Sequence, residues 1–208
     1  LDAATGRWRA ELEAAVERGD LGWHALPFTL HTEYCDRSLL EHGLSLSADL
    51  DRRYRKPGYV TRAAKATDVP GHTHGLVSAL AEVGVSFLHV GVNPASAVPE
   101  VPDRFVWQDR AVEPASSIDV MYQPGGYGDV QVVPGTGVAV ALDLTGDNLG
   151  PRAVGDVLSR WAELSARFPG ASIRAGSLDD VSDVMASARD GLPAVTAEIG
   201  DTWLHGVG

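Results

Sequence analysis

Hydrophobic and polar residues follow two alternating periods along the chain, and these predict helices that alternate with strands. Apolar residues at helical spacing predict helices at 6–18, 34–54, 76–83, 153–168 and 178–189. Short apolar runs predict strands at 21–29, 62–67, 85–92, 137–144, 172–177 and 194–199. The run GVAVAL within 137–144 is nearly unbroken, as in a strand that is covered on both faces. The pattern indicates an α/β fold built on a parallel sheet or barrel.

The domain organisation predicted from this pattern is a single segment that covers residues 1–208. The region 93–136 interrupts the alternation as an excursion rich in proline and glycine. The sequence opens at Leu1 without a methionine or a signal-like segment, and it stops at Gly208 directly after the motif-dense stretch GDTWLHGVG. We therefore expect this chain to be a piece of a longer protein. We expect that protein to be cytoplasmic.

Charge and composition narrow the classes of partner. The formal net charge of −11 and the pI near 4.9 argue against nucleic acid or an anionic membrane surface as the main partner, since either would require a basic patch. Cys35 is the single cysteine, so an internal disulfide framework is excluded. A neutral or cationic ligand remains open, and the sequence does not predict an oligomeric state.

Residues suited to chemistry concentrate in the loops that leave the predicted strands, whereas the loops that enter strands are plain connectors. The leaving loops read LHTE, DVPGHTH, NPAS, TGDNLGP and GDTWLHG. In parallel α/β folds these loops meet at the carboxyl ends of the strands, where ligands bind. The sequence therefore predicts a catalytic mouth that contains His31, Asp68, His72, His74, Asp147, Asp201 and His205.

Each of these residues could instead have a purely structural role. Asp68 could cap the helix that follows it, and His72 and His74 could be polar residues at that helix start. Asp147 could be a turn residue, and His205 and Asp201 could form an ordinary pair four residues apart. His31 and Glu33 could open the second helix, which is the interpretation we favour for Glu33.

The stretch KATDVPGHTHGLVSALAEVGVSFLHVGVN resembles a segment of family 38 glycoside hydrolases, the retaining zinc-dependent α-mannosidases. That segment reads Asp-Pro-Phe-Gly-His-Ser and is followed by a helix, a glycine and a strand. ERGDLGWHALPFTLHTEYCD, VALDLTGDNLGP and RFPGASIRAGSLDDVSDVM are similar to further parts of the family in the same order. VPGTGVAVALDLTGDNLGP and TAEIGDTWLHGVG look most like an uncharacterised branch of family-38-like proteins.

The resemblance implies a seven-stranded (β/α) barrel, of the type also found in carbohydrate deacetylases, that is incomplete in this chain. It implies zinc-assisted, retaining hydrolysis of glycosidic bonds, with Asp68 as both nucleophile and zinc ligand and His205 as a further ligand. The family takes two more ligands from a His-x-Asp pair, which we expect upstream of Leu1. Asn148 stands where many members carry the proton donor, and a glycine-rich variant of the motif points instead to Asp147 as acid/base.

The substrate implied by the resemblance is a carbohydrate, held by aromatic platforms and polar side chains. The candidate binding residues are Trp23, His31, His72, Tyr127, Asn148, Asp201 and Trp203. A purely structural domain is disfavoured because the candidate chemistry lies on one side of the predicted sheet, and two functional alternatives stay open. One is a metal-dependent carbohydrate deacetylase, in which the metal activates water. The other is a sugar-binding barrel without catalysis, which the amide at Asn148 would suit.

Overall fold

The computed structural model of the chain describes residues 3–145, 149–201 and 203. Its α-helices are α1 Ala3–Arg18, α2 Arg37–Tyr54, α3 Gly75–Glu82, α4 Val154–Arg167 and α5 Leu178–Ala188. Its strands are β1 Ala63–Asp68, β2 Phe87–Val92, β3 Arg104–Asp109, β4 Ser116–Gln123, β5 Val130–Val133, β6 Val138–Ala141 and β7 Ala194–Val195. Short 3-10 helices span Thr32–Tyr34 and Arg189–Gly191. The fold is mixed α/β, and in the described ranges no helix has both the length and the apolar character needed to cross a membrane.

The main sheet has five strands in the order β1-β2-β4-β3-β7 and is mostly parallel. β1, β2 and β4 run parallel, so their carboxyl ends meet at one edge, where Asp68 pairs with Val92 and Gly91 with Gln123. β3 is antiparallel to β4 and parallel to β7. Within the described residues the sheet is open, with β1 and β7 at its edges. The seven-stranded barrel therefore remains a prediction.

Helices cover the two faces of this sheet because its strands carry apolar residues on both sides. One face packs against α2 and α3 around Leu44, Leu80 and Leu88, and the other packs against α5 around Phe87 and Met185. α2 begins where the Asp36 carboxylate accepts a hydrogen bond from Leu39 N, an ordinary N-cap. This burial fixes the strand ends, and with them the loops that carry the candidate chemistry.

Two of the predicted strands are wrong. The run 21–29 is irregular, although Ala25 N donates to Ala63 O at the edge of β1. Ala25 and Leu26 are buried in the same core cluster as Leu40 and Leu44 of α2, whereas Leu21 and Phe28 are exposed. Pro27 has no N–H to donate to a ladder. The run 172–177 is irregular and mostly exposed, and Ser177 at its end caps α5.

Two further differences concern the middle of the chain. The buried strand predicted at 137–144 is the half-exposed β6, which pairs only with β5 in an antiparallel hairpin. The predicted excursion 93–136 supplies β3 and β4, two strands of the main sheet, together with β5. An apolar run indicates a strand, but it does not identify the partner or the burial of that strand, which depend on contacts distant in sequence.

Candidate functional site

Three side chains of residue types that can bind a metal come together at the carboxyl-end edge of the sheet. His31, Glu33 and Asp201 each present one ligand atom, and these atoms lie within 4.8 Å of one another. The His31 side chain is 20% exposed and that of Glu33 is 8% exposed, so the group is largely removed from solvent. His31 Nδ1 and Glu33 Oε2 are 3.6 Å apart. We call His31, Glu33 and Asp201 the metal group.

Several polar atoms in and beside the metal group are buried without a hydrogen-bond partner among the described residues. They are both ring nitrogens of His31, Oε2 of Glu33, Oδ2 of Asp201 and Nε2 of His72. Each such atom costs free energy unless water or a ligand satisfies it, typically about 1–3 kcal/mol. Imidazole nitrogens and carboxylate oxygens are also the ligand types that bind divalent transition metals. The donor set therefore fits a metal ion.

Three segments far apart in sequence build this site. The 3-10 helix Thr32–Tyr34 places Glu33 beside His31. Asp201 lies in the irregular segment after β7. The loop after β1 joins these parts: His72 N donates to Ile199 O at 2.8 Å, and Thr73 N donates to Thr32 Oγ1 at 3.0 Å. The site thus depends on hydrogen bonds made by the DVPGHTH loop.

Gly71 allows the loop after β1 to approach Asp201. A Cβ at this position would lie 2.1 Å from Asp201 Oδ2 and 2.5 Å from Ile199 O, distances that real Cβ atoms do not show. Only glycine permits so close an approach of backbone to a carboxylate. The glycine of the DVPGHTH loop is therefore a packing requirement of the metal group.

Burial and neighbouring charge shift the pKa values at this site. Burial raises the pKa of Glu33, and the like charges of Asp201 and Glu198 raise it further. Burial lowers the pKa of His72 to about 4, with a smaller contribution from the nearby His31. His72 is consequently a neutral imidazole at pH 7, the form in which histidine binds metals. Crowded carboxylates with raised pKa values are typical of sites that hold a cation.

Asp68 lies at the end of β1, at the same edge of the sheet. Its Oδ1 accepts hydrogen bonds from the Tyr127 hydroxyl at 2.6 Å and from Asn93 Nδ2 at 2.8 Å. Its backbone φ is +92°, which is uncommon for a residue with a side chain. The alternative that Asp68 caps the next helix is wrong, because His74 occupies the N-cap position of α3.

Asp68 is not a member of the metal group, so the zinc-ligand role that the resemblance implies for it stays a prediction. The structure instead joins Asp68 to Tyr127, one of the predicted binding residues. Tyr127 belongs to the loop between β4 and β5, whose backbone packs against Gly91 so closely that a Cβ there would lie 2.8 Å from Tyr127 Cα. The loop thus covers the ends of β1 and β2 and brings the Tyr127 hydroxyl onto Asp68.

The predicted aromatic platforms separate into two places. The Trp203 ring lies 6.4 Å from the His31 ring, and its Nε1 donates to Ser96 Oγ, so Trp203 borders the metal group. Trp23 instead packs at the end of α2, where its Nε1 donates to Asp51 and Arg55 lies over its ring. That end of α2 adjoins the start of β1, away from the strand ends that carry the metal group, so the structure does not bring Trp23 into the candidate site.

A second polar set lies on the sheet at Lys65, three residues before Asp68 on β1, and at His89, its partner on β2. Lys65 Nζ donates to His89 Nδ1 at 2.8 Å and to Tyr127 O at 3.3 Å, and His89 Nε2 contacts Gln123 Oε1 at 3.4 Å. Burial lowers the pKa of Lys65 to about 8 and that of His89 to about 3. This set holds the backbone of the Tyr127 loop in place.

Asp147, Asn148 and His205 lie outside the described residues, so their predicted roles stay predictions. Sequence reasoning missed Glu33, which we interpreted as opening the second helix. That interpretation is wrong, because α2 starts after Asp36 and Glu33 belongs to the preceding 3-10 helix. The His-Thr-Glu spacing, with two ligating residue types two positions apart in a loop, was the available signal.

No family model, no curated protein and no solved structure matches this chain. A functional interpretation therefore depends on the residues and contacts described above.

Proposed function

We propose that this chain is part of a zinc-assisted hydrolase that cleaves glycosidic bonds in carbohydrates with retention, as in α-mannosidases. The observation that carries the proposal is the buried metal group at the same edge of the sheet as Asp68. Mixed imidazole and carboxylate ligands favour zinc over magnesium or calcium, which prefer oxygen alone. His31, Glu33 and Asp201 would hold the ion.

Asp68 is the proposed nucleophile. Retaining hydrolysis requires a carboxylate that is fixed in position and attacks the anomeric carbon. Tyr127 and Asn93 both donate to Oδ1, which fixes the carboxylate and assigns the attack to Oδ2. The strained backbone of Asp68 is consistent with this role, since such strain is concentrated at functional sites.

A second carboxyl group has to protonate the leaving oxygen, and the proposal assigns this role to Asp147. Retention requires that it lie about 5–5.5 Å from the nucleophile. Bound zinc would hold sugar hydroxyls and act as a Lewis acid near the reacting centre. The Trp203 ring, fixed by its hydrogen bond to Ser96, offers a surface on which a sugar could stack.

Hydrolysis of a panel of aryl glycosides, aryl α-mannosides included, tests this function. The wild type should turn over at least one α-glycoside. Asp68→Ala and Asp68→Asn should each reduce kcat by about 10³-fold or more, because the nucleophile is lost in both. Glu17→Gln, an exposed change on α1, serves as the control and should leave kcat unchanged. Equal activity of the Asp68 variants and the wild type would contradict the nucleophile role.

One observation favours a second candidate, a metal-dependent carbohydrate deacetylase. The metal group forms without Asp68, whereas the α-mannosidase chemistry makes the nucleophile a zinc ligand as well. In a deacetylase the metal activates water, and no carboxylate attacks the sugar carbon. This candidate predicts acetate release from acetylated sugars that is lost on chelation, and no hydrolysis of aryl glycosides. Saturable sugar binding without either reaction would indicate a binding protein.

A further inference from the structure

His72 is the most deeply buried ionisable side chain next to the metal group, with 0% of its surface exposed. Its backbone is fixed by the bond from His72 N to Ile199 O, part of an isolated antiparallel bridge between these two residues. The bridge lies two residues before Asp201. Main-chain contacts therefore bring the backbone of His72 close to the segment that carries Asp201.

One nitrogen of the His72 ring has a partner, and the other does not. Nδ1 lies 3.1 Å from Thr32 Oγ1, the hydroxyl of the residue between His31 and Glu33. The same hydroxyl accepts from Thr73 N. Nε2 is buried and has no hydrogen-bond partner in the part of the chain that the structure describes. The ring is thus oriented by Nδ1 and presents an unsatisfied Nε2.

This arrangement is the one expected of a metal-ligating histidine. Such residues bind the metal through one nitrogen and donate the other N–H to a nearby oxygen, which fixes the ring and its tautomer. Thr32 Oγ1 has two lone pairs, so it can accept both Thr73 N–H and His72 Nδ1–H. His72 Nε2 then carries a free lone pair. His72 lies outside the 4.8 Å spacing of the metal group, but Thr32, which orients its ring, stands between His31 and Glu33, and His31 is close enough to influence His72 electrostatically.

We infer that His72 is the fourth protein ligand of the metal group, through Nε2, and that Thr32 is the positioning residue that orients its ring. This inference rests on the metal site of the proposed function, but it does not depend on the reaction. It gives a set of two imidazoles and two carboxylates. Four protein ligands fill a tetrahedral zinc site, so contact of the ion with a sugar hydroxyl, or activation of water, would require expansion to a fifth coordination position.

Zinc affinity, measured by competition with a chromophoric chelator, tests the inference. Wild type and variants are first stripped of metal and checked for folding by circular dichroism. His72→Ala should weaken zinc binding by at least about 100-fold, and Thr32→Val by about 10- to 100-fold, the range expected for loss of an outer-shell partner. His31→Ala serves as the positive control. His42→Ala, an exposed histidine on α2, should bind as the wild type does.

The outcomes separate this inference from the proposed function. If His31→Ala loses zinc while His72→Ala keeps its affinity within about twofold, the metal site stands and His72 is not a ligand. If the wild type binds no zinc, the inference and the metal part of the proposed function both fail. Loss of glycoside hydrolysis alone leaves the zinc result intact.

A measurement on the wild type covers the case in which His72→Ala does not fold. Imidazole ¹⁵N chemical shifts, recorded with and without zinc, report on each ring nitrogen. We expect the Nε2 resonance of His72 to shift on addition of zinc while Nδ1 retains its proton. A His72 ring whose two nitrogen shifts do not change with zinc would overturn the inference.

Discussion

The charge of Glu33 is predicted to destabilise the metal-free protein and to stabilise the zinc-bound one. Glu33→Gln keeps the size of the side chain and removes its charge. In the structure this carboxylate is 8% exposed and lies within 4.8 Å of the Asp201 ligand atom. Without a cation between them, two carboxylates repel each other in a site with little water. The substitution should therefore stabilise the metal-free fold.

The magnitude follows from this separation. Two unit charges at the 4.8 Å upper limit of this separation repel by roughly 3.5 kcal/mol at an effective dielectric constant of about 20. Asp201 is partly exposed, so screening reduces this to about 1–2 kcal/mol at pH 7. The pKa of Glu33 is higher in the folded protein than in the unfolded chain, so the folded protein binds the proton of this carboxyl group more tightly. The wild type therefore loses stability as the pH rises above the ordinary glutamate value of about 4.5, and the Gln variant does not.

Zinc should reverse the order of stability. Free zinc at a hundred times its Kd would stabilise the wild type by about 2.7 kcal/mol, whereas the Gln variant, with a neutral and weaker ligand, should gain much less. Urea unfolding at pH 7, in chelator and in excess zinc, measures both effects, and a series from pH 4 to pH 7 in chelator measures the pH dependence. Glu17→Gln on α1 controls for the loss of one exposed charge. A Gln variant that is less stable than the wild type in chelator, or that gains as much from zinc, would refute the reasoning.

Three further changes have expected outcomes that urea unfolding can check. Gly71→Ala should destabilise the fold by about 2 kcal/mol or more, because its Cβ would lie 2.1 Å from a carboxylate oxygen of the metal group. Gly200→Ala is the control and should change stability little, since a Cβ there meets nothing within 4 Å. Equal effects of the two substitutions would contradict the packing role of Gly71. Tyr127→Phe should cost about 1.5 kcal/mol through loss of its 2.6 Å bond to a carboxylate, and an unchanged stability would show that this bond contributes nothing. Lys65 has a pKa lowered to about 8, so the unfolded chain holds its proton longer and stability should rise between pH 8 and about 10.5. Lys65→Met should flatten this rise of stability with pH. If the stability of the variant rises with pH as steeply as that of the wild type, titration of the buried Lys65 is not the cause.

The helices were predictable because each carries its own signal of apolar spacing. α4 and α5 begin and end within one residue of their predicted limits. The strands were less predictable, since a strand is defined by its partner. The run 137–144 reads as buried, yet β6 pairs with β5 around a turn whose Gly135 and Gly137 have positive φ values.

The site was partly predictable for a related reason. His72 follows β1 and Asp201 lies after β7, so the predicted topology placed both at one edge. His31 was predicted at the same edge although the run 21–29 before it is not a strand. Glu33 had only the local signal of the His-Thr-Glu spacing, because its place in the site depends on the proximity of Asp201 at the far end of the described chain. Trp23 lies away from the metal group, and the sequence has no local signal that distinguishes an aromatic sugar platform from a contact with a helix.

The most direct test of the proposed function is covalent trapping of the glycosyl-enzyme intermediate. The protein would be incubated with an activated α-mannosyl fluoride that carries a second, ring fluorine to slow hydrolysis of the intermediate, and analysed by intact-mass and peptide mass spectrometry. The proposal predicts a mass increase of one fluorosugar located on Asp68, absent from Asp68→Ala. An adduct on another carboxylate would contradict the assignment of Asp68. Glycoside turnover without any adduct, or acetate release without glycoside turnover, would contradict the retaining mechanism itself.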